Sequence, residues 1–363
     1  MKKIYLNCRF LTQRITGVQR FAFELCRALD LLLLHKLDIQ VIGLLPKKSL
    51  IQVQYGEVPF QQIKLYKCGI FKGYAWEQLE LPWYSRGDHL INLCNVAPLL
   101  KFNQSITLHD VIFMTGFDSQ KWWFKLLYRF IATRTSNAAN HVFTVSQFSK
   151  REIIRFLDIE TEKIIVLGNA ANLNEYPYED NILDKFSLSS KSYFLMIGSS
   201  SARKNTSLVV NLFAEQDNFK SITLVIVGGR YANLGAESRV NAVNIIYTDY
   251  INDSELRSLY HHAQALIFPS IYEGFGIPLV EAMSENIPLI AASISVVHEV
   301  CNESALYFSP YSTKELEEKI LMLINNRELS LQLTELGRLR LGNYKWDKFA
   351  KILLDTIVNG GGV

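Results

Sequence analysis

Short β-rich apolar runs alternate with longer amphipathic segments along the whole chain, the pattern of βα units laid on parallel sheets. The expected fold class is therefore α/β. In the first half, Lys3 to Cys8, Asp38 to Leu44, His89 to Leu93, Ser105 to Leu108 and His141 to Val145 read as strands. In the second half, Ser192 to Ile197, Ile222 to Val227, Asn244 to Tyr247, Ala265 to Phe268 and Pro288 to Ala291 repeat the pattern. Between the two series, Gly168 to Ser190 contains NAANLNEYPYEDN, a polar, Asn-rich stretch without periodicity, and the interdomain linker is expected there. A last amphipathic helix is expected around Trp346 to Ile357.

A length of 363 residues calls for two domains rather than one core, with boundaries expected at 1–175 and 176–345 and a C-terminal helix and tail over 346–363. At 49% hydrophobic and 20% charged, the composition is globular and not disordered. A net charge of +3 excludes a strongly polyanion-seeking protein, and no nucleic acid partner is expected. The balance hides a split: residues 1–150 carry 19 basic against 9 acidic side chains, a net of +10, and residues 151–363 carry 19 against 26, a net of −7. Five scattered cysteines, with no CxxC pair, point to a reducing cytoplasm. MKKIYLNCRF turns polar too soon for a signal sequence, and no run approaches the roughly 18 apolar residues that span a bilayer, so any membrane role is expected to be peripheral.

The most informative segment is ALIFPSIYEGFGIPLVEAM, Ala265 to Met283. A buried strand runs into the loop Glu273-Gly274-Phe275-Gly276-Ile277, and Pro278 sits where a first helical turn accepts it, because its missing N–H costs nothing there. Gly274 and Gly276 let the backbone approach a ligand, while the free amides and positive dipole end of the new helix favour a phosphate. Glu273 lies at the loop entrance and Glu281 is expected in the first helical turn, so both can face a cleft above the strand ends. An ionised carboxylate only accepts hydrogen bonds, so a sugar diol is the natural partner of such a pair. The plainer alternative has Glu281 complementing the helix dipole and Glu273 as a solvated loop charge.

Upstream, the strand ending at Ile197 leads into Gly198-Ser199-Ser200-Ser201-Ala202-Arg203-Lys204-Asn205 and an amphipathic helix, for which Asn205 is the expected N-cap. Two cations just before a helix N-terminus oppose its dipole, so an anionic partner is expected to compensate. Arg203 and Lys204 offer a planar fork and a point charge to phosphoryl oxygens, the alternative being a solvated basic loop. His109, followed by Asp110 after a buried strand, reads from the residues alone as a satisfied strand-end histidine.

Together these motifs resemble the family 4 retaining glycosyltransferases of GT-B fold. The resemblance rests on EGFGIPLVE as that family's E-x7-E element, on RKN after a strand and glycine, and on Tyr250-Ile251 before NDSELRSLYHHAQALIFPS. In the first half it adds ITGVQRFAFEL, TLHDVIF and HVFTVSQFSK, and it runs from about Thr16 to Trp346. It implies two Rossmann-like parallel-sheet domains facing a central cleft, with the C-terminal helix crossing back to the first domain.

The same resemblance implies roles. Arg203 and Lys204 neutralise the leaving nucleotide diphosphate, Glu281 binds the ribose hydroxyls, and Glu273 with the amides of Phe275, Gly276 and Ile277 holds the donor sugar and its phosphate. Tyr250 and Ile251 match the place where main chain meets the nucleobase, Gly17 brings the N-terminal domain onto the diphosphate, and His109 contacts the transferred sugar. Arg20, a cation in the first turn of a helix, is a candidate anion or acceptor contact. Two positions depart from the family pattern: Asp249 stands where a glycine usually precedes the 250–251 pair, and Asn302 where a glycine commonly precedes the strand Ala305-Leu306-Tyr307. The implied chemistry is a front-side displacement that retains anomeric configuration, with cations placed where diphosphate charge develops. The chain has no Asp-x-Asp motif, so no metal is expected, and no cofactor beyond the nucleotide-diphospho-sugar donor.

KWWFKLLYRFIATR, Lys121 to Arg134, sets Lys121, Lys125 and Arg129 at spacing four with Trp122, Trp123, Phe124, Tyr128 and Phe130 around them. Aromatics at helical spacing are more often core, which makes this a sheet-packing helix with a solvated basic edge; the alternative is contact with an anionic membrane surface. The combined expectation is a metal-independent hexosyltransferase of O-antigen or lipopolysaccharide assembly, cytoplasmic and peripheral at the inner membrane face. It would carry a hexose to a polyprenyl-diphosphate-linked saccharide acceptor. TGVQRFAFEL resembles mannosyl- and rhamnosyl-type members and points to a GDP-sugar. A nucleotide-sugar epimerase of the same shape and a catalytically silent nucleotide-sugar-binding partner are the alternatives.

Overall fold

The computed structural model describes residues 2–36, 38–52, 60–116, 122–198, 201–228, 240 and 242–360; Lys121, Ser199 and Ser200 lie outside them. The chain divides into two units, Met1–Asn169 with Lys345–Val363, and Ala170–Tyr344. The first contains β1 (Lys2–Asn7), α1 (Gly17–Leu33), β2 (Ile39–Pro46), β3 (Lys64–Cys68), α2 (Gly73–Ala75), α3 (Leu81–Tyr84), β4 (His89–Asn92), β5 (Gln104–Thr107), α4 (Trp122–Ala138), β6 (His141–Thr144), α5 (Gln147–Leu157) and β7 (Ile164–Val166). The second contains α6 (Asn181–Lys185), β8 (Tyr193–Ile197), α7 (Thr206–Glu215), β9 (Thr223–Val227), β10 (Ile245–Asp249), α8 (Asp253–His262), β11 (Ala265–Phe268), α9 (Ile277–Ser284), β12 (Leu289–Ala292), α10 (Ser295–Cys301), β13 (Ala305–Phe308), α11 (Thr313–Asn325) and α12 (Arg327–Leu341). The last helix, α13 (Trp346–Asn359), belongs to the first unit.

Parallel strands covered by helices on both faces must be apolar throughout, and ALIF of β11 and LIAA of β12 are buried at every position. The first sheet runs β3-β2-β1-β4-β5-β6-β7 and the second β10-β9-β8-β11-β12-β13, with parallel pairing. Each order reverses once, between β1 and β4 and between β8 and β11. The connections leaving the carboxyl ends of the strands diverge at such a point and open a crevice, the ligand position of open α/β sheets.

β3 and β7, absent from the expected strands, flank the first sheet. KLYKC of β3 is exposed at three of its five positions, so edge exposure erased the apolar pattern, and β7 is only three residues long. Buried Trp76 and Asp30 hold this edge: the Trp76 indole donates to the Cys68 carbonyl (3.0 Å), and the Asp30 carboxylate accepts from the amides of Gln61, Gln62 and Ile63 at 2.7–2.9 Å. The Asn-rich stretch after Gly168 carries α6 and is fastened to α8 by Arg257, which donates to the carbonyls of Asn174 and Tyr176 and pairs with Glu285 at 2.8 Å. The expectation of inward aromatics on α4 holds in part. Tyr128 does turn inward, edge-on to Phe113 at 4.7 Å, but Trp122 and Phe130 are exposed, while the side chains of Trp123 and Phe124 lie outside what the structure describes. No described helix is long and apolar enough to cross a membrane.

Packing of α13 within the first unit is specific at both ends. Lys2 Nζ donates to the carbonyls of Ile357 and Val358, each at 2.8 Å, where a cation also complements the dipole of a helix C-terminus. At the other end Trp346 meets Phe21 edge-on, 5.5 Å between centroids, and Phe349 lies over Gly168, whose φ is +101°. A β-carbon at Gly168 would sit 2.4 Å from the Phe349 ring. Gly168→Ala is expected to destabilise the protein by about 2 kcal/mol through combined strain and overpacking. Gly116→Ala, with nothing among the described residues within 4 Å, is expected to be neutral, and paired thermal denaturation checks both.

Candidate functional site

At the reversal of the second sheet, β8 and β11 are neighbours, so the loops that leave them lie side by side. The first carries Arg203 and Lys204, the second Glu273. The loops are tied by backbone: Ile271 N–H donates to the Arg203 carbonyl at 2.8 Å, and the Arg203 guanidinium donates to the Tyr272 carbonyl at 3.2 Å. Asn205 holds the N-cap position of α7, but it does not cap the helix with its side chain as expected. Its φ of 52° turns the amide away, and Nδ2 instead donates to the carbonyls of Pro269 (3.3 Å) and Pro310 (2.8 Å), joining the loops after β11 and β13. Asparagine tolerates this left-handed backbone better than most residues.

The Glu273 carboxylate sits between the two cations, with Arg203 Nη1 2.6 Å from Oε2 and Lys204 Nζ 2.7 Å from Oε1. The Lys204 approach is an ion pair without hydrogen-bond alignment, so Oε1 is buried with no directed donor. Burial pushes the Glu273 pKa upward, but Lys204 and Arg203 outweigh it and hold the carboxyl below its ordinary value. Glu273 is therefore a carboxylate at neutral pH, and the cluster keeps one positive charge in excess.

Immediately after Glu273, Gly276 adopts φ +100° and starts α9, with Pro278 in its first turn. A β-carbon there would meet Leu279 at 2.9 Å and Phe268 at 3.3 Å, so both conformation and space require glycine. Among the described residues, the backbone N–H groups of Phe275, Gly276 and Ile277 have no acceptor. Three amides at a helix N-terminus, next to two cations, form an anion cradle. Phe275 itself is buried edge-on to Tyr344, 5.5 Å between centroids, which anchors the loop.

Glu281 lies in the second turn of α9 and not in the first as expected, since the helix begins only at Ile277. It is consequently no dipole cap, and it accepts a 2.8 Å hydrogen bond from buried Tyr260 of α8, a partner with no sequence signal at that separation. Tyr250 and Ile251 follow edge strand β10, the tyrosine exposed and the isoleucine buried. Asp249 and Asn302, which depart from the resemblance, both hold positive φ, 58° and 50°. The glycine-like backbone is kept although the glycine is not. A β-carbon on Gly228 would approach the Gly198 carbonyl to 2.1 Å, so the ends of β8 and β9 also need close backbone contact.

Gly17 and His109 belong to the first unit. Gly17 is the exposed first residue of α1, which has no acidic residue in its first turn and no side-chain cap. The first turn also holds Arg20, whose N–H donates to the Thr16 carbonyl at 2.9 Å. His109 follows β5 and is buried, edge-on to Phe21 at 4.6 Å. Its Nε2 donates to the Leu93 carbonyl at 2.9 Å; a carbonyl only accepts, so Nδ1 is the acceptor of a neutral ring. The reversal between β1 and β4 holds a buried network that sequence reasoning missed: Arg9 pairs with Glu77 at 3.1 Å, and Asn7 donates to Glu77 (2.7 Å) and to Asn92 (3.1 Å). Burial raises the Glu77 pKa against the opposing pull of Arg9 and Asn7.

Residues 179–340 match the family described as glycosyl transferases group 1. The chain is 34% identical over 232 residues to an O-antigen chain mannosyltransferase, RfbU, of Salmonella typhimurium, the alignment covering 62% of each chain. It is 26% identical over 226 residues to O-antigen chain mannosyltransferase B of Escherichia coli, covering 58% of each. The aligned stretch thus spans about three fifths of these relatives. Among solved structures, Anabaena HepE in complex with UDP-glucose superposes with a TM-score of 0.71 at 15% identity, over 99% of this chain and 100% of that one. The likeness gives the fold as GT-B, in agreement with the resemblance.

Burial holds the His109 pKa at about 4, below its ordinary 6.5. Between those values the unfolded chain binds a proton that the folded one refuses, so this residue's contribution to stability is lost as pH falls through that window. Histidine ring NMR should show His109 as the neutral Nε2–H tautomer throughout from pH 8 to about 5; a midpoint near its ordinary value would contradict the buried placement.

Proposed function

We propose that this chain, whose residues 179–340 form a glycosyl transferases group 1 domain on a GT-B fold, is a retaining, metal-independent hexosyltransferase. In this reading it moves mannose or a related hexose from a GDP-sugar to a lipid-linked saccharide acceptor. The observation that carries the reading is the Arg203–Glu273–Lys204 cluster beside the unpartnered amides of Phe275, Gly276 and Ile277. The two relatives, both O-antigen chain mannosyltransferases, support the donor sugar and the polysaccharide context.

The chemistry follows from the charges. A nucleotide diphosphate carries more negative charge than Glu273 and takes over the two cations, with its oxygens on the α9 amides. Glu273, released and able only to accept, turns to the donor sugar hydroxyls, while Glu281 accepts from the ribose. As the bond from C1 to the phosphate oxygen breaks, charge builds on the diphosphate, and Arg203 and Lys204 stabilise it. The departing phosphate oxygen takes the acceptor hydroxyl proton as the acceptor oxygen bonds to C1 on the same face. Neutral His109, with Nδ1 as acceptor, contacts the transferred sugar, Gly17 meets the diphosphate, and Tyr250 and Ile251 meet the base.

Thermal shift with GDP, UDP and dTDP tests the donor: a ligand at a hundredfold excess over its Kd raises stability by about 2.7 kcal/mol, and GDP is expected to protect most. In a transfer assay with GDP-mannose and a polyprenyl-diphosphate-linked saccharide, Glu273→Gln is expected to lower turnover by about a hundredfold or more without weakening GDP protection, because it frees both cations. Arg203→Ala is expected to lose both. Undiminished turnover in Glu273→Gln sinks the site assignment. Absence of nucleotide release with every donor sinks the transferase reading in favour of a silent binder, and free epimerised donor sugar supports the epimerase.

A further inference from the structure

A buried tyrosine hydroxyl needs a hydrogen-bond partner, and the second unit meets that need in two different ways. Tyr193 of β8 and Tyr260 of α8 are both fully buried. Tyr193 donates to the Leu259 carbonyl at 2.7 Å, an acceptor that carries no charge. Tyr260 donates instead to Glu281 Oε2 at 2.8 Å, across to the second turn of α9. Burial and the neighbouring carboxylate push the Tyr260 phenol well above its ordinary pKa, so it stays a donor. Glu281 itself is only half-buried, so the hydroxyl holds it from the buried side.

A tyrosine satisfied by a charge calls for a reason, because a half-buried carboxylate gives up hydration that a carbonyl acceptor would not. Fastening the two helices is not that reason. Arg257 already ties α8 to α9, pairing at 2.8 Å with Glu285, the C-cap residue of α9. What the bond from Tyr260 does is restrict Glu281. A glutamate side chain samples many rotamers, and ordering it at the moment of binding costs a ligand affinity. A hydroxyl on Oε2 orders it beforehand and takes one of the roughly four lone-pair positions of a carboxylate. We propose that Tyr260 is a positioning residue of the nucleotide site, whose hydroxyl fixes Glu281 in the orientation that accepts from the ribose of a nucleoside diphosphate. The inference rests on the reading of Glu281 as the ribose acceptor. Its chemical content is a preference for ribose over sugars lacking the 2′ and 3′ hydroxyls, set in part by a residue closed to solvent.

Equilibrium binding of GDP and UDP to the full chain, each compared with its 2′,3′-dideoxy analogue, tests the proposal. The wild type is expected to favour the better-bound ribonucleotide over its analogue by about a hundredfold, since a charged acceptor loses its donors in the analogue. Tyr260→Phe keeps the ring and is expected to reduce that preference to about tenfold or less, weakening the ribonucleotide and not the analogue. Tyr193→Phe, which removes an equally buried hydroxyl beside α8 without reaching Glu281, is expected to leave the preference unchanged. The preference is a ratio of two dissociation constants, so a smaller folded fraction in either variant cancels. Glu281→Ala is expected to abolish it. Abolition in Glu281→Ala with an undiminished preference in Tyr260→Phe overturns the proposal and leaves the ribose reading standing, as does an equal loss in Tyr193→Phe. A preference that survives Glu281→Ala, a wild type without preference, or binding of neither diphosphate overturns the ribose reading and the proposal with it.

Discussion

One buried carboxylate shared by two cations sets the terms for the second unit. Removing ions from water costs several kcal/mol each, and the cost is offset only when opposite charge is held at contact distance. Glu273 does this for Arg203 and Lys204 at once, at 2.6 and 2.7 Å. The contact survives only if two loops from different strands keep a fixed separation. The backbone bond from Ile271 to Arg203 and the Asn205 amide on Pro269 and Pro310 fix it. Two positive charges against one negative leave a site that is internally stable and still attracts an anion. A single cation would have been silenced by Glu273, and three would have been costly to bury.

Where that cluster lies is decided by strand order. Crossovers in β10-β9-β8-β11-β12-β13 turn away from each other only between β8 and β11, so only there can two loops converge over open strand ends. Backbone conformation then matters more than residue identity at several turns. Gly276 needs both positive φ and an absent β-carbon, because Leu279 and Phe268 crowd it. Asp249 and Asn302 hold positive φ with a β-carbon in place, which aspartate and asparagine tolerate better than most residues. The departures from the family pattern thus leave the turns in place.

Much of this was legible in the sequence. Buried parallel strands are continuous apolar runs, so the central strands of both sheets were readable, and so was the glycine-and-proline punctuation ahead of α9. Arg203, Lys204 and Glu273 were picked out by type and setting, although they were read as separate ligands for a substrate rather than as partners of one another. Long-range pairing leaves no local trace. Neither Tyr260 on Glu281 nor Asp30 on the chain before β3 has a sequence spacing that announces it. Edge strand β3 was hidden because exposure removes the apolar pattern on which such reading depends, and on α4 the placing of Tyr128 was legible while that of Trp122 and Phe130 was not, because periodicity reports a face without saying which way it points.

The charge split along the chain illustrates the same limit. An excess of +10 over the first 150 residues suggests one basic surface, but several of these cations have structural work. Arg9 is buried against Glu77, Lys2 closes the end of α13, Lys101 donates to the carbonyls of Ser85 and Asp88, and Lys150 donates to that of Ile164. Each replaces water at a carbonyl or a carboxylate and presents little field outward. Arg129 and Arg134 are different: they are exposed, on a helix without acids, beside apolar side chains that solvent does not favour. Net charge counts both kinds alike, whereas the outward field of a domain depends on the cations that its own fold has not already engaged.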